Sequence, residues 1–442
     1  MNYKVYFETL GCSKNQVDTE VMIGLMTQND YYFTTDVEEA EVIVVNTCGF
    51  IESAKVESIN TILELIEHKK QGKCEVFVVT GCMAERYASD LVSELPEVDA
   101  FIGTTKFDEI LPIVDEVLKS GQPSVNTGDI DKNFDENLPR HLLTPDHFAY
   151  LKIAEGCDNF CTYCIIPKLR GKFRSRKLED VVSEAKKLAA GGVKELIIIA
   201  QDTTRYGLDI YGEYKLADLL EQLNDIEGIK WIRLQYCYPD VIDQKLINAI
   251  ANCDKVVKYL DIPIQHGSDS VLKRMNRRTS KAHIRDTIEK LRLLVPNIVI
   301  RTTLIVGFPG ETDEEFNELL EFVNELKFDK LGAFMYSMEE DTAAALLPNQ
   351  IDEEVKTERH AQILEAQMYI SQKKLESFIG REVEVVIEEE VEGEEVYVAR
   401  SSQDAPEVDG VVYVNTSKEL NIGDFITVKI IDSMEYDLIG EI

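Results

Sequence analysis

The sequence predicts an α/β protein in three parts. These are a parallel-sheet α/β domain over residues 1–120, a full or partial (β/α) barrel over 146–374 and a small β-barrel over 375–442, with 121–145 as a linker. Three observations carry this reading. Short β-rich apolar runs alternate with helix-length segments before residue 121 and again after 145, as βα units on a parallel sheet do. Between them, GQPSVNTGDIDKNFDENLPRHLLTP loses all periodicity and concentrates Pro, Asn, Asp and Gly. The tail changes to short strands in which apolar and polar residues alternate.

In chain order, the first domain pairs KVYFETL with the helical NQVDTEVMIGLM, EVIVVNT with ESAKVESINTILELI, and EVFVVTG with AERYASDLVSEL. The central domain has six apolar runs: YLKIAEG, ELIIIAQ, WIRLQYC, KYLDIPIQ, VIRTTLIVGFPG and LGAFMYS, each separated from the next by a helix-length segment. In a barrel of this kind, site residues lie where strands end and loops begin. DEEVKTERHAQILEAQMYISQKKLE is a polar helix with Gly380 as its stop. REVEVVIEEE, EEVYVAR, GVVYVN, DFITVKIID and YDLIGEI then supply the antiparallel strands of the closing barrel.

Composition narrows the function. The chain carries 81 acidic against 47 basic residues, a formal charge of -34. Such a field repels a phosphate backbone and attracts a basic partner, so nucleic acid is not the expected primary target. No run approaches the length of a membrane span and no basic-then-apolar leader opens the chain, so a cytoplasmic protein without a membrane partner is expected. Nine cysteines in such a chain point to metal ligation or catalysis, because cytosolic thiols stay reduced.

Cys157, Cys161 and Cys164 stand in EGCDNFCTYCIIP, directly after a strand. A loop of this length turns three thiolates toward one point, and thiolates are the usual protein ligands of iron–sulfur clusters. Three ligands leave one iron of a four-iron cluster open to a small molecule. A zinc knuckle wants a fourth Cys or His at a definite spacing, and no His follows until His266. Cys12, Cys48 and Cys82 each follow a strand, in LGC, NTC and TGC. Adjacent parallel strands deliver such residues to one carboxyl edge, which makes a second three-thiolate cluster the better reading than three unrelated cysteines. Cys74, Cys237 and Cys253 occupy no comparable positions and are read as bystanders.

The C-x3-C-x2-C spacing at the end of a first barrel strand resembles the signature of radical S-adenosylmethionine enzymes. ETLGCSKNQVDTE, VVNTCGFI, VTGCMAERY, KIAEGCDNFCTYCIIPKLRGKFRSR, PIQHGSD and GFPGET together resemble the methylthiotransferase family over nearly the whole chain. That family joins an N-terminal cluster domain, a radical barrel and a C-terminal TRAM β-barrel. GCSKN, with AEGC and RGKFRSR, is similar to the branch that modifies a ribosomal-protein aspartate, the RimO type. The tRNA-adenosine branch, the MiaB type, usually reads GCQMN, where this chain has Ser13 and Lys14. The resemblance implies two [4Fe–4S] clusters, on Cys157, Cys161 and Cys164 and on Cys12, Cys48 and Cys82. It also implies two molecules of S-adenosyl-L-methionine, one as methyl donor and one as radical source, and an outside electron donor. The implied product is an aspartate methylthiolated at its β-carbon, in the small-subunit ribosomal protein numbered twelve, a basic partner.

Further candidates sit at strand ends. Gln201, Asp202 and Thr204 lie in AQDTTRYG, and Gly307, Pro309, Gly310 and Glu311 in GFPGET, where they are placed to contact the cofactor. Gln235, Gln265 and Arg301 are candidates of the same kind, and no residue is assigned as acid or base. RGKFRSRK, residues 170–177, is a basic island that reads either as a solvated charge run, the commoner case, or as a face toward an acidic substrate loop or the cofactor carboxylate. The alternatives are a tRNA-adenosine methylthiotransferase and a non-enzymatic iron–sulfur electron carrier. Over 375–442, 18 Asp and Glu stand against four Lys and Arg, which suits a basic ribosomal protein and repels RNA.

Overall fold

In the computed structural model, residues 3–133 and 138–442 are described, so Met1, Asn2 and four residues of the expected linker lie outside the description. The first sheet has six parallel strands: β1 (Tyr3–Thr9), β2 (Tyr31–Phe33), β3 (Val42–Thr47), β4 (Val76–Gly81), β5 (Ala100–Ile102) and β6 (Ser124–Asn126), in the order β2-β1-β3-β4-β5-β6. The three residues of β6 come from the expected linker and pair with β5 as its edge strand. Neither they nor β2 and β5 are long enough to show a period. β3 and β4 are buried throughout, as a sheet covered by helices on both faces requires. The chain order reverses between β1 and β3, which is where an open parallel sheet forms a ligand crevice.

The second sheet resolves the choice between full and partial barrel in favour of partial. β7 (Phe148–Lys152) is followed by a two-stranded pair, β8 (Ala154–Glu155) and β9 (Arg174–Ser175). The sheet continues through β10 (Glu195–Ile199), β11 (Trp231–Leu234), β12 (Val256–Asp261), β13 (Val299–Val306) and β14 (Lys330–Met335). Its order is β14-β13-β12-β11-β10-β7, all parallel, with β7 and β14 as edges. The predicted apolar runs supply all six strands. The helix Glu353–Glu376 packs on β14 through Ile363 and Gln367, whose amide donates to the Phe328 carbonyl at 3.1 Å. It ends before Gly380, with Ser377 donating to the Lys374 carbonyl, while Gly380 takes φ +85° in the turn into the last domain.

That domain is a closed barrel of β15 (Glu382–Glu390), β16 (Val396–Ser401), β17 (Val412–Asn415), β18 (Phe425–Ser433) and β19 (Leu438–Glu441), in the order β15-β16-β17-β19-β18. Closure removes its exposed edges. It seats against the amino ends of the second sheet. Phe425 meets the Trp231 ring at 4.8 Å, and Glu195 accepts from Arg233 at 2.8 Å and from Arg400 at 2.6 Å with all three side chains buried. Asp404 and Asp409 reach Lys330 and Tyr259. The acidic barrel therefore plugs the end of the sheet opposite the cysteine loop.

Candidate active site

The loop after β8 carries the first three thiols. Gly156 has φ +79°, and a Cβ there would stand 2.1 Å from the Lys172 carbonyl oxygen, so this turn requires glycine. The loop is fastened at several points. Cys157 N–H donates to the Gly171 carbonyl, Cys164 N–H to that of Cys161, and Thr162 N–H to that of Met275, at 3.0–3.1 Å. Asn159 donates to Asp202 at 2.8 Å. Cys161 interacts electrostatically with both Cys157 and Cys164, and Arg277 donates toward its sulfur at 3.9 Å while stacking on Tyr238. Burial pushes the Cys157 thiol up to about 12 and raises Cys164 as well. Thiolates here need a compensating positive charge, which cluster irons supply.

The second three thiols meet at the carboxyl edge of the first sheet. Register aligns Thr9 with Asn46 and Asn46 with Thr80, so the loops after β1, β3 and β4 leave the sheet side by side. Gly11, at φ +90°, brings the Cys12 loop so close that a Cβ would lie 2.8 Å from Cys48 Cβ. Asn15 stitches the site together. Its amide donates to the carbonyls of Leu10 and Thr47, each at 3.0 Å, and its Oδ1 accepts from Arg170 at 2.5 Å and lies 4.0 Å from Cys82 Sγ. Burial pushes the Cys82 thiol up to about 12, opposed chiefly by the Arg170 guanidinium. Among the described residues no three His, Cys, Asp or Glu side chains are grouped for a single metal ion. A four-iron cluster is wider than a single ion and would take one thiolate on each of three irons, leaving the fourth open, and three thiols at each site are of the right chemistry for that.

The two sites adjoin. Cys82 packs with Ile165, next after Cys164, and with Leu169 in the short helix beyond it, and Thr104 donates to the Leu169 carbonyl at 2.5 Å. Beneath them Arg170 bridges Asp18 at 3.1 Å and Glu155 at 2.8 Å, and Lys152 bonds to the same two carboxylates. Burial penalises Glu155, but Arg170 and Lys152 outweigh it and hold the carboxyl well below the usual range. The basic island therefore does not face a substrate loop. Arg170, Arg174 and Arg176 are buried: Arg170 meets Asp18 and Asn15 of the first domain, Arg174 donates to the Arg170 and Lys172 carbonyls, and Arg176 pairs with Glu184 at 2.6 Å. Only Lys172 and Lys177 remain exposed.

The strand-end candidates divide into two groups. Gln201 and Gln265 each hold a buried Oε1 with no partner among the described residues, and Gln235 is buried one residue beyond β11. Gly307 and Gly310 turn at φ +69° and +74° around Pro309. The polar atoms of the others are used within the protein. Asp202 accepts from Asn159, Thr204 and Arg205, and Thr204 also accepts from Tyr238 N–H. Glu311 accepts from Arg359 at 2.8 Å. Arg301 lies lower in the sheet, donating to Asp261 at 3.0 Å and facing Asp409 of the terminal barrel at 3.5 Å. Three residues of the site carry no local signal of their role: Asn15, Glu155 and Arg277. Asn15 stands within GCSKN, but only the fold reveals what its amide holds.

Three family models match the chain: an uncharacterized protein family, UPF0004, over residues 4–103, the radical SAM superfamily over 151–323 and the TRAM domain over 379–442. Among solved structures, the chain resembles TsrM, a radical S-adenosylmethionine methyltransferase from Kitasatospora setae, with a TM-score of 0.53 at 14% identity over 76% of this chain and 72% of that one. OxsB, a cobalamin-dependent S-adenosylmethionine radical enzyme, gives 0.51 at 13% identity over 81% and 56%. These likenesses concern the fold. Sheet, cysteine loop and superfamily match together define a radical S-adenosylmethionine enzyme. The ribosomal protein uS12 methylthiotransferase RimO of Clostridioides difficile is 52% identical over 99% of this chain and 98% of its own length, and that of Geotalea uraniireducens 51% over 99% and 98%. The chain belongs to this family of methylthiotransferases.

Proposed function

We propose that this chain methylthiolates the β-carbon of an aspartate in ribosomal protein uS12, using two [4Fe–4S] clusters and two molecules of S-adenosyl-L-methionine. The observation that supports it best is that two separate three-thiol sites adjoin, joined through Arg170 and the Cys82–Ile165–Leu169 contact. When bound, a reduced cluster with a free iron supplies the electron that cleaves S-adenosylmethionine, a second S-adenosylmethionine supplies methyl, and an outside donor supplies electrons.

The residues divide the work. Cys157, Cys161 and Cys164 hold the cluster of the barrel, and Arg277 balances the charge beside Cys161. Cys12, Cys48 and Cys82 hold the cluster of the first domain, kept in register by Asn15. Gln201 and Gln265 offer unpaired oxygens to the cofactor, with Gln235 and the Gly307-to-Gly310 turn beside them, whereas Arg301 is committed to Asp261 and Asp409 and takes no part. Asp202, Thr204 and Glu311 shape the loops around it. The acidic terminal barrel, seated at the far end of the sheet, draws in the basic substrate by its field rather than positioning the reacting carbon.

Mass spectrometry of uS12 and of bulk tRNA from a deletion strain tests the assignment. Loss of a methylthio group from uS12, restored by the wild-type gene, supports it. Loss from tRNA with uS12 unchanged overturns it.

A further inference from the structure

Lys14 follows Cys12 by two residues and lies in the first turn of the helix Ser13–Thr27. It is only 5% exposed, and its ammonium stands 3.1 Å over the ring of Tyr236. Tyr236 belongs to the other domain, just beyond β11. Its backbone is fixed there at φ +60°, with N–H donating to Asp261 at 3.0 Å and the carbonyl accepting from Thr203 N–H at 3.0 Å. One helical turn on, Val17 packs with Tyr150, Ile197, Ile199 and Tyr236. This face of the helix therefore lies across the barrel mouth, with Lys14 between the Cys12 loop and the rim.

The other buried and part-buried cations around the two sites have partners. Lys152 and Arg170 share Asp18 and Glu155, Arg140 and Arg176 share Glu184, Arg205 meets Asp202, and Arg277 donates to the Pro263 carbonyl. Lys14 makes no hydrogen bond or ion pair with any described residue, and its one polar contact is the Tyr236 ring. A cation–π contact offsets only part of what it costs to withdraw an ammonium from water. The arrangement is completed by an anion that arrives with a ligand.

We propose that Lys14 is the specificity residue that grips the side-chain carboxylate of the substrate aspartate. The inference rests on the aspartate-directed function above and deepens it. In that reaction the β-carbon must stand between the two cysteine sites, and the carboxylate is bonded directly to that carbon. A cation on the Cys12 side of the cleft, facing the barrel rim, is where such a carboxylate comes to rest. The Tyr236 ring covers one side of the ammonium, so a carboxylate would approach it from another. Lysine is a compact point charge with three donors, suited to an acid that must also expose its neighbouring C–H bond.

The test measures affinity for uS12 and for uS12 whose modified aspartate is changed to Asn, using wild type, Lys14→Met, Lys14→Gln and Lys14→Arg. Wild type should prefer the Asp form by about 10- to 100-fold, the range of one charge-assisted hydrogen bond. Lys14→Met and Lys14→Gln should bind both forms alike, and Lys14→Arg should keep part of the preference. Iron content and cluster absorption identify the variants that have kept their fold, and either neutral variant that has done so decides. A neutral variant with the full wild-type preference, or a wild type that methylthiolates uS12 yet binds both forms equally, overturns the role of Lys14 alone. A wild type that leaves uS12 unmodified overturns the function on which it rests.

Discussion

Replacing Arg170 by Met should open the joint between the two cysteine sites. Arg170 is buried and makes ion pairs of 2.8 Å to Glu155 and 3.1 Å to Asp18, with a further bond of 2.5 Å to Asn15. Lys152 serves the same two carboxylates, so two acids face two bases, with burial raising the Asp18 carboxyl and, despite burial, the two cations holding Glu155 low. Methionine fills much of the volume but leaves two buried carboxylates facing one ammonium. Breaking a buried pair by removing one partner costs about 3–5 kcal/mol, a large fraction of the ~5–15 kcal/mol that holds a domain together. A loss of about 4 kcal/mol is close to a thousandfold in the opening equilibrium. Because a chain of several domains need not unfold in one step, the assay is native-state hydrogen exchange on the helix Ser13–Thr27 and on residues 166–170. Protection there should fall about a thousandfold, while that of the terminal barrel stays. Adding Glu155→Gln removes the surplus charge and should recover at least half of the loss. A fall of less than tenfold in Arg170→Met, or no recovery in the double variant, would refute the charge-balance reasoning.

Changing Cys157, Cys161 and Cys164 to Ala should remove about four irons per chain and abolish 5′-deoxyadenosine formation, and undiminished formation would defeat the assignment of that loop. With Cys12, Cys48 and Cys82 changed to Ala, 5′-deoxyadenosine should still form while methylthio transfer stops; methylthiolated uS12 from this variant would remove the second cluster from the reaction. Acid should loosen the first domain from the barrel at Glu184. Burial raises its carboxyl, but Arg176 and Arg140 prevail and hold it at about 2. Because the folded value lies below the unfolded one, the stabilisation is complete above about pH 4.5 and is lost as pH falls toward 2. About 2 kcal/mol should go between pH 6 and 3, seen in denaturant midpoints, and Glu184→Gln should flatten that limb. Changing Glu389, Glu390, Glu392, Glu394 and Glu395, all exposed, to Gln should weaken uS12 binding at low salt and leave it unchanged near 1 M, where the Debye length is about 3 Å. Glu388 is excluded because Arg400 already holds it at 2.8 Å, and unchanged affinity at low salt would show that the acidic face does not recruit substrate.

The strands of both parallel sheets that exceed three residues, the five strands of the terminal barrel and the loop of Cys157, Cys161 and Cys164 were legible in the sequence. Each depends on neighbours within about ten positions, which is the range over which periodicity and spacing act. The meeting of Cys12, Cys48 and Cys82 was legible for a related reason: a parallel sheet sends every strand end to one edge, so three like positions imply one place. Other features depended on contacts between distant segments. Arg170 reads as part of an exposed basic run until the helix Ser13–Thr27 packs over it and Asp18, 152 residues away, neutralises it. The seat of the acidic barrel on the amino ends of the second sheet is set by Glu195 meeting Arg400 across 205 positions. Lys14 is one more lysine in a charged chain until the fold withdraws it from water and sets it over Tyr236. Local pattern determined which elements form and where the thiols emerge. Which charges are buried, and which of them lacks a partner, was decided by tertiary packing, because desolvation depends on what covers a side chain and not on its neighbours in sequence.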